Sequence, residues 1–329
     1  MDKKFKALRI RSEDQKISSR IEETKLDELD SGEVVVKCAY SSVNYKDALA
    51  ATGAGKIIRR FPCIGGIDLS GIVVSSSDSR FKKDEEVIVT SYDLGVAHDG
   101  GFSEYARVPA DWVVPLPRGL NLFEAMAIGT AGYTAGLAIH LLQQNDLKPE
   151  LGKVVVNGAT GGVASLAMDM LAKLGYQITA ITGKDSEHEY LKQLGAHEVL
   201  SRTTLEIGTR PLEKALWAAA FDSVGGDQLA WLTRTMQQNG LIASFGNAGG
   251  IELKTTVLPF ILRGVRLIGV DSGYTAMPLR KKIWERLATD LKPRHLPRIA
   301  HPVTLEDLPC VFDCLLKANM RGRAVVQFA

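Results

Sequence analysis

The chain has 329 residues, 45% of them hydrophobic and 24% charged, a composition typical of globular proteins and a length beyond the usual single domain. Its net charge is +2 with lysine and arginine scattered along it. That excludes the basic footprint of a nucleic-acid binder and leaves small anionic ligands open.

The start, Met1-Asp2-Lys3-Lys4-Phe5-Lys6, has no long apolar core behind its charges, and no apolar run approaches a membrane span. The chain therefore reads as cytoplasmic, with no membrane partner. From Leu8 to about Pro117, short apolar segments alternate with turn residues: Val34 to Lys37, Gly71 to Val74, Glu86 to Val89 and Phe102 to Val108. This spacing predicts a β-rich, barrel-like first domain, closed at Pro115-Leu116-Pro117, where two prolines disfavour further pairing.

A helical tract begins near Leu122 and carries Gly129-Thr130-Ala131-Gly132, small enough to lie close against a neighbouring backbone or ligand. Then Val154-Val155-Val156 runs into Asn157-Gly158-Ala159-Thr160-Gly161-Gly162-Val163-Ala164 and an apolar helical pattern to about Leu174. This reads as a strand, a phosphate-binding turn and a helix, with the dinucleotide fingerprint in the form Ala159-x-Gly161-x-x-Ala164. Backbone N–H groups around Thr160, Gly161, Gly162 and Val163 would meet a diphosphate at the positive end of the helix. A strand follows over Tyr176 to Thr182. Further strands are expected at Val199-Leu200, Ala218 to Ser223, Leu241 to Phe245 and Arg266 to Val270, with helices over about Glu187 to Leu194 and Gln228 to Gln237. Repeated βα units predict a doubly wound parallel sheet.

The last stretch has an amphipathic segment from Leu279 to Leu291 and a strand over Ala324 to Phe328. It is too short for a third domain. The expected arrangement is α/β: residues 1–121 and 259–329 form a discontinuous β-rich domain around a nucleotide-binding domain over 122–258. The four cysteines, Cys38, Cys63, Cys310 and Cys314, form no CxxC pair. Cys310 and Cys314, four apart on an expected helix, could share a metal, but no further ligand is evident beside them in sequence and they read as ordinary buried thiols.

Cofactor choice is read at the end of the second strand of the parallel sheet, Thr182-Gly183-Lys184. An acid there commonly binds the adenosine ribose of NAD. Here a lysine follows instead, and Arg202 after the third strand can approach the same place, so a 2′-phosphate and NADPH are expected. Asp185 would reverse this if the strand ended one residue later.

In order along the chain, Asn44-Tyr45-Lys46-Asp47, Gly66-Ile67-Asp68-x-x-Gly71, Gly100 to Tyr105, Gly129 to Gly132 and the turn over Ala159–Ala164 resemble the medium-chain dehydrogenase/reductase superfamily. Asn44 to Leu49, Lys56 to Arg59, Pro259 to Arg263 and Gly269 to Ser272 resemble its NADPH-dependent acryloyl-CoA reductase branch, long labelled quinone oxidoreductases. The resemblance implies a GroES-like catalytic domain, a Rossmann domain and a homodimer built on the strand near Arg266. Zinc members need a cysteine and a histidine where this chain has Tyr45-Lys46-Asp47 and Gly66-Ile67-Asp68, so no metal is expected.

The implied chemistry is reduction of a short α,β-unsaturated acyl-CoA, with acryloyl-CoA as the specific expectation. A quinone or enone reductase and a non-enzymatic NADPH-binding protein are the alternatives. Tyr45 and Asn44 are the catalytic candidates. Tyr45 either donates a proton, since a phenol carries one at neutral pH, or positions the nicotinamide while water supplies the proton. Asn44 either donates its amide or forms a turn, and Asp68 is expected to hold the Gly65-Gly66 turn. Further cofactor contacts are implied at Asn247, Ile261, Ser272 and Asn319. For CoA phosphates, Arg59 and Arg60 are considered, with Arg321 and Arg323 near the C-terminus.

Overall fold

The computed structural model describes residues 4–14 and 16–328. Two compact units divide the chain: one holds the residues up to Ala131, Gly273–Ala288 and Leu296 onward, the other Gly132–Ser272 and Thr289–His295. The divisions fall at 131/132 and 272/273, not at the expected 121/122 and 258/259. At the second, the strand over Arg266–Gly269 is hydrogen-bonded into the parallel sheet and keeps the chain in the second unit.

The first unit opens with β1 (Phe5–Glu13), β2 (Lys16–Thr24), β3 (Val34–Ser42), α1 (Tyr45–Thr52), β4 (Cys63–Ile64), β5 (Asp68–Ser76), β6 (Glu86–Thr90), β7 (Tyr105–Val108), β8 (Val113–Pro115) and the start of α2 (Leu122–Gln144). The β1–β2 hairpin has no counterpart in the sequence reading. Its second strand, Lys-Ile-Ser-Ser-Arg-Ile-Glu-Glu-Thr, is mostly polar, and only its last residue is buried, which masks the alternation of Ile17 and Ile21.

β3 shows the period of two clearly: Val34, Val36 and Cys38 point inward and are buried with Leu69, Val73, Val87 and Val89. Cys63 is buried too, whereas Cys310 is exposed and Cys314 half-buried. The latter two are therefore not the buried thiols expected, because their helix turns that face outward.

α2 corrects another expectation. It contains an 18-residue window of mean hydropathy 1.3, long and apolar enough to pass as a membrane span. That window is 89% buried inside the protein, as the core helix of a globular fold is. α2 is also broken: Gly129 has φ 51° and ψ −158° inside it.

The second unit contains β9 (Val154–Val156), α3 (Gly162–Lys173), β10 (Ile178–Thr182), α4 (His188–Gln193), β11 (Ala196–Ser201), β12 (Trp217–Asp222), α5 (Gly226–Thr235), β13 (Met236–Ser244), α6 (Leu258–Arg263) and β14 (Arg266–Gly269). The sheet order is β11-β10-β9-β12-β13-β14 with every pairing parallel. Numbered within the sheet this is 3-2-1-4-5-6, the dinucleotide-binding order. β9, β10 and β12 are buried at every residue, because helices cover both faces of such a sheet. Met236 and Gln237, expected at a helix end, instead begin β13.

The chain then returns to the first unit through α7 (Met277–Ala288), α8 (Leu296–Ile299), β15 (Ala300–Val303), α9 (Leu308–Leu316) and β16 (Arg323–Gln327). β16 is antiparallel to β3. α7 buries Arg280, Ile283, Trp284, Leu287 and Ala288, the i, i+3, i+4, i+7, i+8 face of an amphipathic helix. Arg280 is fully buried, donating to the Thr90 and Gly273 carbonyls and the Tyr92 hydroxyl at 3.0–3.1 Å.

Candidate active site

In the second unit, β9 ends at Val156 and α3 starts at Gly162, so the intervening residues form the expected turn. Gly158 takes φ 57°, which only glycine adopts without strain. The tight-turn role thus falls to Gly158, one residue before the fingerprint position at Ala159. Ala159 is buried and donates its N–H to the Ile181 carbonyl at 3.1 Å, joining the turn to β10.

Thr160 is buried, Gly162 and Val163 are half-buried, and Gly161 is exposed as the extended N-cap of α3. The first N–H groups of a helix have no acceptor within it and favour an anion. This backbone fits a diphosphate.

The end of β10 is as expected at Thr182. Its hydroxyl accepts the Lys184 N–H at 3.0 Å, and its carbonyl accepts the Arg202 N–H at 2.6 Å. A Cβ on Gly183 would stand 2.7 Å from Arg202 Nη2 and 3.0 Å from its Cζ. Arg202, exposed, therefore lies over Gly183, the residue before Lys184. Asp185 lies beyond the strand with His188 3.7 Å away, and so is not the residue at the strand end.

The remaining cofactor candidates lie on four separate segments of the chain. Asn247 is exposed and its carbonyl accepts the Gly250 N–H at 3.1 Å. Ile261 is 68% exposed on α6. Ser272 accepts from the Thr134 hydroxyl at 2.7 Å. Asn319 belongs to the first unit and donates its N–H to Cys314 at 2.8 Å. The sequence reading missed Asp222, the fully buried last residue of β12, which accepts from the Asn157 amide at 2.6 Å. Burial raises its carboxyl above the ordinary range.

In the first unit, Tyr45 opens α1 and is 41% exposed, beside a buried polar cluster. Asn44, the N-cap, is 9% exposed and both ends of its amide are engaged: Nδ2 donates to Asp68 at 2.8 Å and Oδ1 accepts from Arg323 at 2.9 Å. These contacts make it a fixed part of the protein interior rather than a donor held out to substrate.

Asp68, fully buried, also accepts from the Ser42 hydroxyl and from the N–H and hydroxyl of Thr130. A Cβ on Gly129 would overlap Ser42 Oγ and stand 2.8 Å from Asp68, so the break in α2 makes room for this cluster. The Gly65-Gly66 turn is held instead by Asp47, which accepts from the Ile67 N–H at 3.0 Å and the Asn44 N–H at 2.8 Å. Burial, with Asp68 nearby, pushes the Asp47 carboxyl up to about 7.

Arg323 is 3% exposed and its guanidinium, 3.9 Å from Asp68, donates to Val43, Asn44 and Ser42. It belongs to the interior and does not face a CoA phosphate, whereas Arg321 is exposed. Burial lowers the Arg323 guanidinium from its ordinary range. Arg60 pairs with Asp30, and Arg59 lies 3.2 Å from Asp93 and donates to Tyr274 at 2.7 Å. The positions at which zinc relatives place their ligands are Tyr45 and Ile67 with their neighbours. Among the described residues no group of three His, Cys, Asp or Glu side chains could hold a metal.

The alcohol dehydrogenase GroES-like domain model matches residues 30–118, and a model described as zinc-binding dehydrogenase matches 162–289. The chain is 49% identical over 325 residues to the Bacillus subtilis protein named "Putative quinone oxidoreductase YhfP", covering 98% of each. It is 43% identical over 325 residues to the acrylyl-CoA reductase AcuI of Ruegeria pomeroyi, again 98% of each. The crystal structure of the Salmonella enterica yhdH oxidoreductase with NADP superposes with a TM-score of 0.96 at 46% identity, covering 98% of this chain and 100% of that one. That of YhfP with NAD bound gives 0.96 at 47%, covering 99% and 100%. With the parallel sheet order, the turn before α3 and these likenesses along almost the whole chain, the protein belongs to the medium-chain dehydrogenase/reductase superfamily, in the branch that contains AcuI and YhfP.

Proposed function

We propose that the protein uses NADPH to reduce the C=C bond of a short α,β-unsaturated acyl-CoA, with acryloyl-CoA to propionyl-CoA as the leading case. The acceptor class rests on the 43% identity to AcuI across the chain. The cofactor rests on Arg202 lying over Gly183 beside Lys184. Relatives have been solved with NADP and with NAD; two cations suit a 2′-phosphate, and the missing acid for the ribose hydroxyls at the end of β10 favours NADPH.

When NADPH is bound, the hydride for Cβ of the acceptor would come from it, and a proton must then reach Cα of the enolate. Tyr45, with its exposed ring at the start of α1, is the proton donor in this reading. Asn44 and Asp68 fix the helix start that carries it. Thr160 to Val163 hold the diphosphate, and Lys184 and Arg202 the 2′-phosphate. Asn247, Ile261, Ser272 and Asn319 are the further cofactor contacts proposed, Asn247 through its backbone. No metal takes part, since neither a cysteine nor a histidine stands at the zinc-ligand positions.

Quinones are the second acceptor class, favoured by the 49% identity to YhfP. NADPH oxidation followed with acryloyl-CoA, crotonyl-CoA and a simple quinone separates the two: kcat/KM is expected to be highest for acryloyl-CoA, and a higher value for the quinone overturns the assignment.

The protein acts as a homodimer in this reading. β14 is an edge strand, and Val257, Ile261 and Leu262 are 57–68% exposed just before it, a combination that invites pairing with a second copy. The cytoplasm is the compartment proposed, in keeping with four free cysteines.

A further inference from the structure

β9 and β12 are neighbours, but the chain leaves them in opposite directions, through β10 and β11 on one side and β13 and β14 on the other. Dinucleotides bind across such a reversal. Asn157, just past β9, and Asp222, the end of β12, meet there at 1% and 0% exposure. Besides the amide bond to Asp222, Asn157 Oδ1 accepts the Ser223 N–H at 2.8 Å, and its carbonyl accepts the Ser223 hydroxyl at 2.9 Å.

Asp222 also accepts the Gly225 N–H at 3.1 Å and the Val224 N–H at 3.3 Å. Gly225 is in turn bridged to Gly250, and the Gly249 N–H donates to Val224 at 2.7 Å. One carboxylate thus ties the turn over 157–161 to the loop over 223–226, and through that loop to 246–250. The fit between them is close: a Cβ on Gly158 would overlap Ser223 Oγ.

We propose that the Asn157–Asp222 pair is a positioning pair for the cofactor. It sets the spacing between the diphosphate turn and the two loops after β12 and β13. A dinucleotide whose adenosine end is held at β10 would carry its nicotinamide half across the reversal toward β12 and β13, and would depend on that spacing. The 2′-phosphate end at Gly183 would not. The inference rests on the NADPH reading above.

The test is equilibrium binding of NADPH and of 2′,5′-ADP, which occupies the adenosine end alone, read by fluorescence in the absence of substrate. Asp222→Asn should weaken NADPH by about tenfold or more, as loss of a charge-assisted buried bond does, and leave 2′,5′-ADP within about threefold. Ser223→Ala, a milder change, should show the same selectivity at smaller size. Equal weakening of both ligands, or unchanged NADPH binding in Asp222→Asn, overturns the proposal. A wild-type protein that binds NADPH but not 2′,5′-ADP overturns the 2′-phosphate reading instead.

Discussion

Lys184 and Arg202 are separated by 17 intervening residues yet share a strand-end neighbourhood, and neither alone would distinguish a phosphate ligand from a solvated surface charge. The guanidinium over Gly183, the residue before Lys184, is the observation that favours reading the two together. Lys184→Ala should lower the ratio of kcat/KM for NADPH over NADH by about 10- to 100-fold, the size of one charge-assisted contact to phosphate. An unchanged ratio removes Lys184 from the site. For Tyr45 the expected outcome is a fall of about 10²-fold or more in kcat on Tyr45→Phe with folding intact, in line with loss of a general acid. Near-normal turnover leaves Tyr45 a nicotinamide-positioning residue and gives the proton to water. The neighbouring carboxylates were harder to read: Asp47 and Asp68 both stand in motifs, but only their partners show that Asp47 holds the turn at Ile67 while Asp68 collects Ser42, Asn44 and Thr130.

The elements of the parallel sheet were legible because β9, β10 and β12 are short buried apolar runs with glycine or polar residues after them. The order of the strands was not, since a crossover leaves no local trace. The β1–β2 hairpin escaped notice for the opposite reason, its exposed residues outnumbering its buried ones. In α2 the small residues at Gly129 to Gly132 were visible, but the cause was not: the helix breaks at Gly129 over a polar cluster contributed by β3, β5 and β16, far apart in sequence. β14 carries the prediction that belongs to this scale. Sedimentation should give a dimer, and charged residues at both Ile261 and Leu262 should shift it toward monomer. A wild-type protein that remains monomeric at micromolar concentration rejects the edge-strand dimer.

Across the molecule, cofactor chemistry is written in local motifs, whereas the catalytic unit rests on a buried network that assembles Asn44, Asp68 and Arg323 from both ends of the chain. Arg323 shows the limit of sequence reading most plainly. Near the C-terminus it resembles a surface cation, yet it is 3% exposed and bonded to Val43 and Asn44. Removing one partner from such a buried charged set costs about 3–5 kcal/mol, so its position is fixed by the fold rather than left to a ligand. The proposed reaction is reduction of a conjugated thioester by hydride addition at Cβ without a metal. The direct measurement is mass spectrometry of the acyl-CoA product after turnover of acryloyl-CoA with NADPH deuterated at nicotinamide C4, in protein dialysed against a chelator. The expected product is propionyl-CoA carrying the cofactor's deuterium at C3 and a solvent proton at C2. Unreacted acryloyl-CoA while a quinone consumes the same NADPH, or turnover only after zinc is restored, would contradict it.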